Sequence, residues 1–116
     1  RPGAALEHGR QAISMAEQCG NDLIRGAALA RMATAHRLRG EIEAAGASIA
    51  AALEALGEEP HPERTIAFCE RAYVAMACGR SGAGDLALAQ ADLDGDSDRE
   101  VKAAVEQLAA DVRRAP

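Results

Sequence analysis

Small residues recur along this chain in phase with the larger apolar ones, and that recurrence narrows the possible folds more than any other feature. Of the 116 residues 29 are alanine, against 20 of Leu, Ile, Val and Phe together. So small a share of bulky residues raises the question of disorder. The alanines, however, recur in phase with the larger apolar residues instead of forming low-complexity runs. Alanine is also the best helix former, so closely packed helices are expected. No stretch alternates with period two, and no strand is required.

Glycine and proline divide the chain into six helical segments. Pro2-Gly3 opens the first, which runs to about Gln18 before Cys19-Gly20-Asn21. Asp22 is expected to cap a second, Leu23 to Leu38, which Gly40 terminates. A third covers Ile42 to Leu56, and Pro62 starts a fourth that reaches about Cys78. A short fifth ends near Leu93, and the last runs from about Asp98 to Arg113 with Val101, Val105, Leu108 and Val112 on one face. Short turns make neighbouring helices antiparallel, and the whole is all-α.

The chain also matches itself. A shift of 42 pairs Met32-Ala33 with Val74-Ala75, His36 with Cys78, Gly40 with Gly82 and Ala45 with Ala87. A shift of 40 in the other direction pairs Ala45 with Ala5, Ala52 with Ala12 and Leu53 with Ile13. The spacing Met32-Ala33, His36, Gly40, Ala45, Ile49, Ala52-Leu53 resembles the tetratricopeptide repeat signature. The match is good over Arg31–Leu56, fair over Cys69–Leu93 and partial over Ala4–Glu17. It departs from the family at His36 and Cys78, where an aromatic is favoured, and in a unit of 40 to 42 residues instead of about 34. Units of that length resemble those of kinesin light chains and of large bacterial regulators. A plain helical bundle accounts for the same punctuation, since alanine-rich helices match one another easily.

The resemblance implies antiparallel helix hairpins stacked as a right-handed solenoid of about six helices: a half unit at 3–20, units at 22–57 and 62–93, and a terminal helix at 98–114. Residues 1–116 then form one repeat domain, and the absence of an initial Met is read as the mark of a module from a longer protein. Ala33, Ala45 and Ala52 become points of close helix approach and Gly40 the turn, with Ala75, Gly82 and Ala87 as their counterparts. First helices of successive units line a groove for a peptide or a partner's helix. In that register the groove residues are Ala27, Ala30, Thr34 and Arg37 from one unit and Cys69, Ala72, Met76 and Arg80 from the next. Two arginines over a floor of small residues imply an acidic or carboxylate-bearing partner.

The expected function is therefore a non-catalytic protein-interaction module, such as the sensing segment of a bacterial transcription regulator or signalling protein. The alternative is a structural segment that self-associates as a homodimer or faces other domains of its own chain. No constellation points to an enzyme. His8, His36 and His61 stand in no metal-ligand spacing, and Cys69 and Cys78 lie about 13 Å apart along one helix. Neither a Gly-rich dinucleotide fingerprint nor a phosphate loop occurs, so no cofactor is expected.

The net charge of −5 is spread with both signs mixed, which argues against nucleic acid as a partner. With an odd number of cysteines (Cys19, Cys69, Cys78), no CxxC pair and no apolar run long enough to span a bilayer, a reduced cytoplasmic chain away from the membrane is expected. The turn Asp92-Leu-Asp-Gly-Asp-Ser-Asp98 resembles the start of a calcium loop but lacks its glycine and closing glutamate at the required places. A Ser97–Glu100 capping box explains it without a metal.

Overall fold

The computed structural model describes residues 1–115, and within them the chain is all-α. Six helices follow in order: α1 (Pro2–Cys19), α2 (Asp22–Leu38), α3 (Ile42–Leu56), α4 (Pro62–Ala77), α5 (Ala83–Asp92) and α6 (Arg99–Arg114). No strand occurs among the described residues. Each boundary has a local cause. Gly20, Gly40, Gly57 and Gly79 take φ between 67° and 77°, the left-handed region in which a helix stops most readily at glycine. Pro62 occupies the first turn of α4, where its missing N–H is not needed.

Two caps differ from the sequence expectation. Asn21, not Asp22, caps α2 by accepting from the Ile24 N–H at 3.0 Å. Asp98, not Ser97, caps α6 through the Glu100 N–H at 3.2 Å. Ser97 instead closes the preceding turn, its hydroxyl accepting from the Asp94 N–H at 2.8 Å and donating to Asp94 Oδ1 at 3.3 Å.

The helices alternate between two layers. α1 packs against α2 alone, α3 against α2 and α4, and α5 against α4 and α6. α2 also touches α4, and α4 touches α6. The molecule measures 43 × 33 × 22 Å, and its shortest dimension is about two helix diameters.

Burial follows a repeated spacing. Ala45, Ile49, Ala52 and Leu56 are the buried stripe of α3, and Gly82, Leu86, Ala89 and Leu93 follow the same 4-3-4 interval 37 residues later. In the other layer Gly26, Ala30 and Ala33 of α2 correspond to Thr65, Cys69 and Ala72 of α4, 39 residues on. The two helix stops agree with this register. Gly40 and Glu41 donate to the carbonyls of Arg37 and His36, as Gly79 and Arg80 do to those of Met76 and Ala75.

That register corrects the one read from the sequence, in which Gly40 was paired with Gly82 and Ala45 with Ala87. Gly82 is the packing counterpart of Ala45, and a Cβ on it would lie 3.3 Å from Ala72 Cβ. Ala87 is exposed and Ala75 half-buried, so neither is a point of close approach; Ala33, Ala45 and Ala52 are fully buried. Gly40 meets nothing within 4 Å, and only its φ of 77° requires glycine there. The tightest approaches fall on two glycines the sequence pattern did not single out. A Cβ at Gly9 would collide with Met32, and one at Gly26 would lie 2.6 Å from Leu56 Cγ.

Candidate interaction face

The residues that tie α2, α4 and α6 together form two polar networks running across all three helices. In the first, Arg31 of α2 grips Glu63 of α4 with both Nε (3.0 Å) and Nη2 (2.9 Å), and its Nη1 donates to Glu100 of α6 at 2.9 Å. A planar guanidinium suits this task, since it engages one carboxylate bidentately and still has a donor for another.

The second network is more deeply set. Glu70 of α4 is buried, with a side chain only 7% exposed, and it accepts from Thr34 Oγ1 at 2.9 Å, from Arg37 Nη2 at 3.2 Å and from Arg37 Nε. The Arg37 guanidinium lies 4.5 Å from the centroid of the Tyr73 ring. The Tyr73 hydroxyl donates to Asp111 Oδ2 on α6 at 2.5 Å, and Arg114 donates to the other oxygen of that carboxylate at 2.8 Å. A carboxylate buried beside two donor residues is tolerable because its lone pairs are occupied.

The titration behaviour follows from these contacts. Burial first, and then the hydrogen bond to Asp111, push the Tyr73 phenol well above its ordinary value. The same hydrogen bond, with that from Arg114, holds the Asp111 carboxyl below the usual carboxylate range. Burial pushes the Cys69 thiol up to about 12, and the neighbouring Glu70 charge adds to the rise. Such a thiol stays protonated near neutrality and behaves as a small hydrophobe.

The proposed groove residues divide into three sets. Ala30, Cys69 and Ala72 belong to the core and offer almost no surface. Thr34 and Arg37 come together on Glu70, so the Arg37 charge is matched within the chain; half-buried Ala27 lies a turn or more earlier on the same helix. Met76 and Arg80 line a separate cleft of about 380 Å³ with Gly79, Ser81, Gly82, Val112 and Ala115. Arg80 lies in the turn after α4, is exposed, and pairs with no carboxylate among the described residues. The two arginines therefore face different surroundings, because the structural register is 39 residues and not 42.

Glu70 and Tyr73 were missed in the sequence. In the 39-residue register Tyr73 corresponds to Thr34, a residue of the expected groove, and Glu70 to Arg31, which lies outside that set. The usable signals were that Tyr73 is the chain's single tyrosine and that Arg31 and Arg37 face carboxylates 32 and 33 residues on.

A third set of contacts fastens α4 to α5. Arg64 reaches Asp92 at 3.3 Å and the Glu58 carbonyl at 2.7 Å, and Arg71 reaches Asp85 at 2.8 Å. Both guanidiniums lie over Phe68 between them, 5.0 and 5.3 Å from its centroid. Of the histidines, His61 caps α4 by accepting from the Glu63 N–H at 3.1 Å, and His36 meets Glu41 at 2.8 Å. That contact draws the Glu41 carboxyl below its ordinary value. Among the described residues no three Asp, Glu, His or Cys side chains converge as metal ligands, and no helix is long and apolar enough to cross a membrane.

Fold and site together define a two-layered, six-helix all-α domain whose alternate helices are cross-linked by ion pairs. Comparison with protein families, with curated proteins and with solved structures returns no match to this chain.

Proposed function

We propose that the chain is a non-catalytic protein-interaction module built from tetratricopeptide-like hairpins, with α2–α3 and α4–α5 as two units, α1 as a preceding second helix and α6 as a following first helix. The observation carrying this reading is the repeated burial spacing in both layers, together with the ion-paired alignment of α2, α4 and α6. In such a stack the first helices supply the binding face and the second helices the outer layer. The place in which we put the ligand is the end of that face at Arg80, where an unpaired guanidinium stands beside Met76 and Val112. That combination fits a peptide offering a carboxylate next to an apolar side chain. A regulator or signalling protein of the bacterial cytoplasm is the setting we propose for it.

Selection of peptides from a displayed library tests this reading. Peptides enriched on the wild-type chain should share a carboxylate and lose enrichment on Arg80→Glu, whose exposed position leaves folding unaffected. Enrichment that is indifferent to residue 80 would refute the assignment.

Self-association remains the second reading, and a specific observation favours it. Met15, Leu23 and Ile24 are 66, 54 and 48% exposed around the α1–α2 turn, an apolar surface that a second copy or another domain of the same chain could cover. Molecular mass measured across a concentration series separates the two readings.

A further inference from the structure

A cleft of about 280 Å³ runs between the start of α1 and the second half of α2, with Arg1 and Ala5 on one wall and Arg31 and Leu38 on the other. Its α2 wall belongs to a line of residues at alternating steps of three and four: Ile24, Ala27, Arg31, Thr34 and Leu38. Such steps set them along one side of the helix. In the 39-residue register they correspond to Glu63, Ile66, Glu70, Tyr73 and Ala77 of α4. That line on α4 is where α2 docks: Arg31 grips Glu63, Thr34 and Arg37 reach Glu70, and the Arg37 guanidinium lies over Tyr73. Under this cover Ile66 and Glu70 are 6 and 5% exposed. On α2 the same line faces solvent, and Ile24 and Leu38 are 48 and 63% exposed. α1 shows the same contrast with its counterpart. Ala45 and Ala52 of α3 are fully buried, whereas Ala5 and Ala12, 40 residues earlier, are exposed and half-buried. The seat that α2 takes on α3 and α4 is therefore repeated on α1 and α2, open to solvent.

What fits this second seat follows from where the two differ. Arg31 stands at the place of Glu70, so the charge at the centre is reversed. Its side chain is 47% exposed, and two guanidinium N–H groups remain beyond those given to Glu63 and Glu100. Arg1, on the opposite wall, pairs with no carboxylate among the described residues. Ile24 and Leu38 stand seven residues to either side of Arg31, at the places of Glu63 and Ala77. The α2 helix of a second copy, seated as α2 sits on α4, would set Arg37 against Arg31, like charge against like. We propose that this face docks an amphipathic helix of a partner protein, one that carries a carboxylate between two large apolar residues at seven-residue intervals. The carboxylate meets Arg31 and Arg1, and the apolar residues cover Ile24 and Leu38. The inference rests on the hairpin register of the reading above, but not on the place at Arg80 assigned to its ligand.

The probe is a labelled alanine-based peptide of about 20 residues, long enough to be helical, with leucine, glutamate and leucine at seven-residue intervals. Fluorescence anisotropy with the whole chain should show saturable binding, at least tenfold tighter than for the same peptide with lysine in place of glutamate. Leu38→Gln and Ile24→Gln, both at exposed positions, should each weaken it tenfold or more with the melting curve unchanged. Equal affinity for the glutamate and lysine peptides would overturn the proposal, as would undiminished binding by either variant. A wild-type dimer that Leu38→Gln dissociates would give the face to a second copy and reject the partner helix. Loss of peptide binding here, with enrichment through Arg80 intact, rejects this seat alone; the converse result rejects only the ligand place at Arg80.

Discussion

Two glycines inside helices should respond oppositely to the same added methyl group. Gly46 lies within α3, and a Cβ built on it meets nothing within 4 Å. Alanine there gains the full helix preference, about 0.5–1 kcal/mol, and melting should rise by roughly 2–6 °C. Gly26 lies within α2 against α3, and a Cβ there would be 2.6 Å from Leu56 Cγ, 2.7 Å from Leu56 Cδ2 and 3.4 Å from the Ala52 carbonyl oxygen. To restore ordinary contact, Leu56 would have to retreat by about 0.8 Å, and it is only 5% exposed in a close-packed interior. Overpacking of this kind costs about 1–3 kcal/mol. Set against the same propensity gain, Gly26→Ala should destabilise by up to about 2 kcal/mol. Leu56→Ala alone should cost about 2–4 kcal/mol, but it removes the obstacle, so adding Gly26→Ala in that background should become stabilising. Urea unfolding of the four-member cycle, with Gly46→Ala alongside, measures all of these quantities. A Gly26→Ala chain more stable than wild type, or additive behaviour with Leu56→Ala, would refute the close-approach argument.

Glu70→Ala strands Thr34 and the three-quarters-buried Arg37 without their shared acceptor; a loss of about 2–4 kcal/mol is expected by urea unfolding, with Arg37→Met/Glu70→Met recovering much of it. Tyr73 can be titrated alone by phenolate absorbance because it is the single tyrosine, and its midpoint should lie well above 10 in the folded chain and fall in Asp111→Asn. Since its folded pKa is raised, the linked stability is complete below about pH 10 and is lost as pH climbs toward the folded value; a folded-state midpoint near 10 would contradict this. Ala45→Leu, at a fully buried position, should cost about 1–3 kcal/mol, whereas Ala83→Leu on the surface should change stability by less than about 0.5 kcal/mol, and thermal melts of the two suffice to compare them.

The helices were legible because their stops are chemical. Glycine in the left-handed region and proline in a first turn leave marks that do not depend on tertiary context, and α3 was bounded to the residue. The registration between units was not so legible. α5 lacks the first turn that α3 possesses, so Gly82 reaches the contact through a loop, whereas Ala45 reaches it from inside a helix. Matching glycine to glycine therefore displaced the second unit by about one turn. The displacement carried Ala72 and Arg80 into the predicted groove in place of the residues that share a face with Thr34 and Arg37. Glu70 was concealed for another reason: a mid-helix glutamate reads as solvent-facing, and only the approach of α2 turns it into a buried acceptor. The four aspartates of the acidic turn were visible, but the burial of Asp92 among them depends on how α5 meets Arg64.

α1 touches only α2, whereas α4 touches four other helices. α1 is therefore held by a single neighbour, with no second helix to retain it if that contact opens. Amide protons of α1 should exchange through a shallow local opening that leaves the other five helices intact, and those of α4 only when the whole domain unfolds. Each such opening bares Met32 and Ala35, the surface on which Leu6 rests, so the domain periodically presents a ready-made socket for a helix. A neighbouring molecule's α1 would fit that socket as well as its own, and exchange of this single helix is the route by which two copies would join without any new interface being built.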